Sequence, residues 1–120
     1  MLQRALQMSC LYLCGVLLHG CATPLDIGVA DRKLTPQQAI TTIDTVRNRM
    51  IAWGGVIVSV KNLTDKTQFE ILAYPLDDNN RPNNMVTPQG RFLAFHNGYL
   101  ETTDYKEGRL VTIIGTLLGN

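Results

Sequence analysis

Residues 53–74, WGGVIVSVKNLTDKTQFEILAY, carry the pattern that decides the fold. Two runs place alternate residues on opposite faces of an extended chain. In the first run, Val56, Val58 and Val60 alternate with Ile57, Ser59 and Lys61. In the second run, Phe69, Ile71 and Ala73 alternate with Gln68, Glu70, Leu72 and Tyr74. A period of two is typical of β-strands, and the short stretch at residues 62–66 between the runs predicts a turn. Pro75 cannot donate to a strand ladder, so we expect the second strand to end there. The stretch predicts a β-hairpin.

A helix is predicted just before this hairpin. Thr35 suits the N-cap, Pro36 the first helical position, and Gln38 the position three residues after the cap. Apolar residues follow at helical spacing: Ala39, Ile40, Ile43 and Val46. We therefore expect one N-terminal helix of about three turns with an apolar stripe on the core. Arg47 and Arg49 fall near its end, where positive charge suits the negative pole of the helix.

The chain after the hairpin predicts two more strands. Residues 76–88 are rich in Asp, Asn and Pro and predict an irregular loop. Residues 90–95 predict a third strand, residues 98–107 a loop or short helix, and residues 110–118 a fourth strand. The fourth strand is apolar on both faces, and this pattern is typical of a strand that is covered on both faces. Either the N-terminal helix closes the domain or part of the domain is missing.

The first twenty residues differ from the rest of the chain, with Arg4 as their single charge. Residues 8–18 are apolar or small throughout. About eleven such residues are too few to cross a bilayer but suit the hydrophobic region of a signal peptide. The segment ends in LLHGC at residues 17–21, which is similar to a bacterial lipobox except at His19. We predict a lipoprotein signal peptide at residues 1–20, cleaved between Gly20 and Cys21.

Cys21 is the predicted lipidation site. A thiolate is a strong nucleophile near neutral pH and can accept a diacylglyceryl group as a thioether, after which the freed amine can be N-acylated. Residues 21–34 show no periodicity and predict a lipidated tether. Lipoproteins that are retained in the inner membrane usually carry Asp directly after the lipidated cysteine, and this chain has Ala22 there. We therefore expect anchoring in the outer membrane, with the domain facing the periplasm. The alternatives are an uncleaved hydrophobic anchor and a signal peptide cut elsewhere.

Length and charge restrict the remaining possibilities. With 120 residues the chain has room for one small domain. Its 11 basic and 10 acidic residues produce no strong field, so we expect no nucleic-acid partner. Cys10 and Cys14 would leave with the signal peptide, and Cys21 would be blocked as a thioether. The mature domain would then hold no free thiol and no disulfide.

The order of motifs along the mature chain resembles the Slp family of starvation-inducible outer-membrane lipoproteins. The residues that carry the resemblance are Trp53–Ile57, Phe69–Asp77, Gln89–Ala94, Gly98–Glu101, Asp104, Tyr105, Gly108, Arg109, Val111, Thr112, Ile114 and Gly115. The resemblance implies a mainly β protein, with a small OB-like antiparallel barrel or partial barrel and no established chemistry. It also implies a structural or interaction role in the cell envelope, related to stress or starvation. Family members continue beyond the Val111–Gly115 strand with further strand-forming sequence, so residues 35–120 are expected to be an Slp-like domain lacking its C-terminal strands.

Candidate catalytic or metal-binding groups are few. Asp77 and Asp78 are interpreted as loop solubilisers or turn caps rather than a calcium site, and His96 as a surface turn residue. Glu101 and Asp104 suit ion pairs with Arg91 or Arg109. Gly54 and Gly55, without a following Lys-Ser/Thr pair, suit close strand packing or a bulge. No nucleophile, base and orienting group occur together, so we expect no enzyme, no metal and no cofactor beyond the acyl chains on Cys21.

An alternative function is a periplasm-facing OB-like module that binds a small ligand, a sugar or a peptidoglycan fragment. The candidate ligand face consists of Trp53, Tyr74, Tyr99 and Arg91. Aromatic residues can stack on ligands, but core packing is the stronger expectation because no basic groove is evident beside them. The expected partners are the outer membrane, through the lipid, and an envelope protein or peptidoglycan.

Overall fold

A computed structural model describes residues 23–101 and 103–119. The elements are α1 (Pro36–Thr41), α2 (Ile43–Val46), β1 (Met50–Asn62), β2 (Lys66–Tyr74), β3 (Arg91–Asn97) and β4 (Leu110–Thr116). The four strands form one antiparallel sheet in the order β3-β2-β1-β4, curved into a half-barrel. The mainly β fold expected from the sequence is confirmed as a partial barrel. None of the helices in these residues is long and apolar enough to span a membrane.

The central hairpin follows the predicted period of two. In β2, Thr67, Phe69, Ile71 and Ala73 are buried and alternate with half-buried residues. β2 ends at Tyr74, directly before Pro75, as predicted. The pairing of β1 with β2 shifts by one residue between Ile57 and Ser59, which places a bulge in the middle of the long strand.

The predicted single helix is wrong: the structure has two short helices. α1 begins with the predicted capping box, since Gln38 N–H donates to Thr35 Oγ1 and Thr35 N–H donates to Gln38 Oε1. The helix ends at Thr41, and the backbone of the C-cap residue Thr42 has left helical geometry with φ −125° and ψ 25°. The hydroxyls of Thr41 and Thr42 both donate to Gln38 O, at 2.9 and 2.8 Å. Such back-bonding by adjacent β-branched residues bends and interrupts helices.

Two groups of buried side chains form the core on one face of the sheet. In the first, Ala39 and Val46 from the helices pack with Ile51 and Trp53 of β1. In the second, Ile57 contacts Phe69 and Ile71 across the hairpin. Phe92 packs against both groups, and its ring lies 5.0 Å from that of Trp53 in an edge-on contact. The helices therefore cover the core at one end of the half-barrel, and residues of the hairpin form the core at the other end.

Two close approaches explain the glycine pair that begins the hairpin. A Cβ on Gly55 would lie 2.0 Å from Leu72 O, and a Cβ on Gly54 would lie 2.6 Å from Leu76 Cδ2. Gly54 also lies under Pro82, so the loop that follows β2 folds back onto β1 at this point. Close packing, one of the two interpretations of these glycines, is therefore confirmed.

The N-terminal segment contacts the domain from Thr23 onward. Thr23 O accepts a hydrogen bond from Arg81 Nη1 at 3.1 Å, and Leu25 N–H donates to Asn79 O at 2.9 Å. Asp31 forms a parallel bridge with Ile51 at the start of β1. Much of the segment expected to act as a tether is thus docked on the sheet, and the domain boundary at residue 35 stays a prediction.

Candidate functional site

A cleft of about 390 Å³ opens where the N-terminal segment meets the end of the hairpin. Its walls are residues 32–36, residues 52–54 of β1 and residues 73–76 with Gln89. β2 ends while β1 continues, and this difference in length leaves room beside β1 that the N-terminal segment only partly fills. The cleft therefore results from long-range packing.

Trp53 forms the fixed wall of the cleft. Its side chain is 7% exposed, and its indole Nε1–H donates to Leu34 O at 2.6 Å. This hydrogen bond joins the segment before α1 to β1 and satisfies the polar atom of a buried indole. Trp53 is therefore primarily a core residue that also lines the cleft.

Arg32 holds the opposite wall. Its guanidinium donates from Nη2 to Leu76 O at 3.0 Å, from Nη1 to Asp77 O at 3.0 Å, and to Asn80 Oδ1. Lys33 also lines the cleft, and no acidic residue of the described chain does. The walls therefore carry positive charge, and the acceptors on Arg32 are neutral oxygens.

The predicted ligand face is divided by the fold. Trp53 and half-buried Tyr74 both line the cleft. Arg91 lies at the start of β3, where its Nη1 forms a 2.8 Å ion pair with Glu70, and Tyr99 is 69% exposed in the loop after β3. The structure thus brings two of the four candidates together and leaves Arg91 and Tyr99 outside the cleft. Gly20 and Cys21 lie outside the described residues.

Asp77 accepts hydrogen bonds within its own loop. Asp77 Oδ1 accepts the backbone N–H groups of Asn79 and Arg81, at 2.8 and 3.0 Å. The hydrogen bond from Arg81 is the main reason why the pKa of Asp77 lies below its usual range. Asp77 is therefore a turn cap, as one interpretation of the sequence expected. Within the described ranges no three His, Cys, Asp or Glu side chains are grouped to hold a metal ion.

His96 and the expected ion pairs differ in detail from the predictions. His96 is exposed as predicted, but it lies in β3 opposite Thr67 rather than in a turn. Arg91 pairs with Glu70, its diagonal neighbour on the adjacent strand β2, rather than with Glu101 or Asp104. Strand register, which local sequence did not reveal, selects that partner.

The sequence interpretation missed Arg32. Residues 22–33 have no periodicity, so nothing local distinguishes Arg32 from a solvated tether residue. Its acceptors in residues 76–80 lie far along the chain. Arg32 stands between Asp31 and Lys33, three residues before the predicted N-cap Thr35, so its position in the sequence offered no distinguishing signal.

Comparison with known proteins places this sequence in a family. A sequence profile of the outer membrane lipoprotein Slp family matches residues 18–120. The chain belongs to this family. No solved structure shows a significant match.

Relatives in two organisms support the Slp assignment. The chain is 33% identical over 108 residues to the lipoprotein YeaY of Escherichia coli, covering 87% of this chain and 55% of YeaY. It is 37% identical over 67 residues to the outer membrane protein Slp of the same organism, covering 56% of this chain and 35% of that protein. A Haemophilus influenzae protein is 33% identical over 89 residues, covering 73% of this chain and 45% of its own length. The chain thus spans about half the length, or less, of these relatives.

Proposed function

We propose that this chain is an outer-membrane lipoprotein anchored through Cys21, with its β domain facing the periplasm in a structural or interaction role. The family profile supports this best, because its match begins at residue 18 and includes Gly20 and Cys21. A diacylglyceryl thioether and an N-acyl chain on Cys21 hold the protein at the membrane, since two or more acyl chains make desorption negligible. A role in stress or starvation is part of the proposal and rests on the family resemblance.

The docking of the N-terminal segment supports a close association of domain and membrane. Thr23 follows the proposed anchor by two residues, and its carbonyl already accepts a hydrogen bond from Arg81. An anchor at Cys21 therefore holds the loop at residues 76–82 near the bilayer surface.

Metabolic labelling with palmitate tests the anchor. We expect label on the parent chain and on a Cys10→Ala, Cys14→Ala control, because those cysteines precede the cleavage site. Cys21→Ala should lose the label. Label that persists in Cys21→Ala would contradict the proposal.

Fractionation tests the location. The parent chain should separate with outer-membrane fractions, and Ala22→Asp should move it to the inner membrane because Asp in that position favours retention there. External protease should spare the domain in intact cells and degrade it after the outer membrane is permeabilised. Degradation in intact cells would contradict a periplasmic orientation.

A second candidate function is binding of a small ligand, sugar or peptidoglycan fragment in the cleft. The observation that favours it is a cavity of about 390 Å³ lined by Trp53, Tyr74 and two cationic residues. Ligand sites are of this size and combine aromatic walls with a few polar groups. Thermal melting with muropeptides and sugars tests it: a shift should be lost in Tyr74→Ala and kept in Tyr99→Ala, which lies outside the cleft. A melting temperature that none of these ligands shifts would count against this candidate.

A further inference from the structure

The hydrogen-bond acceptors at the walls of the cleft are already used by the fold. Backbone carbonyls on both walls accept hydrogen bonds from other parts of the chain, namely those of Leu34, Thr35, Ala73, Pro75 and Leu76. No Asp or Glu of the described residues lines the cleft. A ligand that enters therefore meets carbonyl oxygens that are engaged and no carboxylate.

Donors at the same walls remain available. Arg32 uses three of the five N–H groups of its guanidinium on neutral oxygens of residues 76–80 and keeps two. In the described part of the chain, Lys33 Nζ and the Tyr74 hydroxyl have no hydrogen-bond partner. The side-chain amide of Gln89, which can donate or accept, is unbound in the same sense. The groups open to a ligand are thus biased toward donors.

The two cations of the cleft are not neutralised by an ion pair. The nearby carboxylates of Asp31 and Asp77 do not line the cleft. Asp31 Oδ2 pairs with Arg49 at 3.2 Å, and Asp77 Oδ1 accepts two backbone N–H groups of its own loop. Neither Arg32 nor Lys33 forms an ion pair with another described residue. The cleft therefore favours an anion.

Apolar side chains form the rest of the cleft. Leu34, Pro36, Trp53, Pro75 and Leu76 line it together with the two cations. Its volume of about 390 Å³ lies near the lower end of the range of about 300–1,000 Å³ that is typical of ligand sites. A small ligand with one anionic end and one apolar end matches these walls.

We propose that the cleft binds a carboxylate attached to a small apolar group, as at the C-terminus of a peptide that ends in alanine. The proposal rests on the ligand-binding function proposed for the cleft and names the class of its ligand. A carboxylate only accepts hydrogen bonds, so it suits the two remaining N–H groups of Arg32 and the ammonium of Lys33. A neutral sugar also needs acceptors for its hydroxyl protons, and the engaged carbonyls offer few.

The fluorescence of Trp53 in the full chain, purified in detergent, tests the proposal. Trp53 is the only tryptophan of the sequence and lines the cleft, so its emission reports a ligand bound there. The probes are N-acetyl-alanyl-alanine and its C-terminal amide. We expect the carboxylate to bind about tenfold more tightly than the amide, because hydrogen bonds to a charged group are the stronger ones. The D,D and L,L forms of the probe distinguish a cell-wall peptide from a protein C-terminus, and tighter binding of either carboxylate supports the proposal.

Lys33→Gln removes one charge without disturbing the fold, because Lys33 is exposed and its ammonium has no partner in the described chain. It should weaken binding of the carboxylate probe about threefold, as expected for an exposed ion pair, and leave binding of the amide unchanged. Lys33→Arg should restore the affinity. Lys61→Gln, at an exposed position of β1 outside the cleft, is the matched control and should bind like the parent.

Two groups of results would contradict the proposal in different ways. Equal binding of carboxylate and amide, equal binding of Lys33→Gln and the parent, or equally tight binding of inorganic phosphate would overturn the choice of a carboxylate. The same holds if no alanine probe binds while sugars or muropeptides shift the melting temperature. In these cases the cleft stays a candidate ligand site. No response to any of these compounds would overturn the ligand-binding function as well.

Discussion

Gly55 shows how one missing side chain permits a close contact between the strands of the hairpin. A Cβ there would lie 2.0 Å from Leu72 O and 2.7 Å from Ile71 Cγ2. The first contact is with backbone in the centre of the sheet, so a side-chain rotation cannot relieve it. Any residue larger than glycine must separate β1 from β2.

Gly55→Ala should therefore destabilise the fold by about 3 kcal/mol or more, at the upper end of the cost of overpacking a core. Urea unfolding followed by circular dichroism measures this change. Gly115→Ala is the matched control, since an added Cβ at that position meets no atom within 4 Å. Equal stability of the two variants would show that the strands do not approach so closely.

Asp31 links the N-terminal segment to the sheet through its charge. The pKa of its carboxyl is lowered, chiefly because Lys33 N–H donates to Oδ1 at 2.8 Å, with further contributions from Leu34 N–H and Arg49. Burial of the carboxyl acts in the opposite direction. A folded-state pKa below the unfolded value means that the ionised carboxylate stabilises the fold.

This stabilisation should be complete at pH well above the unfolded pKa of about 3.9 and disappear as pH falls through the lower folded value. Asp31→Asn should therefore be less stable than the parent at pH 7, with the difference shrinking toward pH 3. Unfolding free energies across this range measure the effect. Asp44→Asn should have little effect, because the Asp44 side chain is 92% exposed in its 3.5 Å pair with Arg47. A difference between Asp31→Asn and the parent that does not depend on pH would contradict the assignment.

At the scale of elements, the short helices depend on their caps and their buried residues. α1 has six residues, too few to persist alone in water, so its capping box and the burial of Pro36 and Ala39 hold it in place. The helix in turn positions Leu34, whose carbonyl accepts the indole N–H of Trp53. The start of α1 is thus coupled to the first core group.

Thr35→Ala should remove the side-chain cap and cost about 1 kcal/mol. The reduced stability should appear in urea unfolding, with faster hydrogen exchange in residues 36–41. Thr45→Ala is the control, because Thr45 is exposed and lies in α2. Equal losses in both variants would show that the capping box contributes nothing specific.

Over the whole molecule, Arg32 joins parts of the chain that lie far apart in sequence. Its guanidinium contacts three acceptors in residues 76–80, and Asn80 Nδ2 donates to Leu25 O at 2.8 Å. Asn80 O accepts from Thr112 Oγ1, also at 2.8 Å. The N-terminal segment, the loop after β2 and strand β4 thus share one polar network.

Arg32→Met should loosen this network while leaving the hairpin intact. We expect faster hydrogen exchange in residues 23–31 and 76–82 and unchanged exchange in residues 66–74, because β2 is paired on both sides. Lys33→Met, at the neighbouring exposed position, should leave all three regions unchanged. Uniform acceleration in Arg32→Met would instead indicate global destabilisation.

Local sequence was sufficient for features that depend on neighbouring residues. The alternation in residues 68–74 predicted which side chains of β2 are buried, Pro75 predicted where that strand ends, and Thr35 predicted the helix start. Each reflects a short-range constraint, namely side-chain direction in a strand, a missing N–H group or an unsatisfied first turn. The break between the two helices at Thr42 also has a local cause, the hydroxyl hydrogen bonds of Thr41 and Thr42. The helical spacing of the apolar residues did not reveal it.

Tertiary structure alone decided which distant segments meet. Periodicity reports that a strand has a buried face but not which strand lies beside it, so the pairing of β4 with β1 and of Arg91 with Glu70 could not be predicted. The same applies to the docking of Arg32 on residues 76–80 and to the cleft between them. These contacts join residues far apart in the chain, and their free energy depends on the geometry of the assembled sheet rather than on local sequence preference.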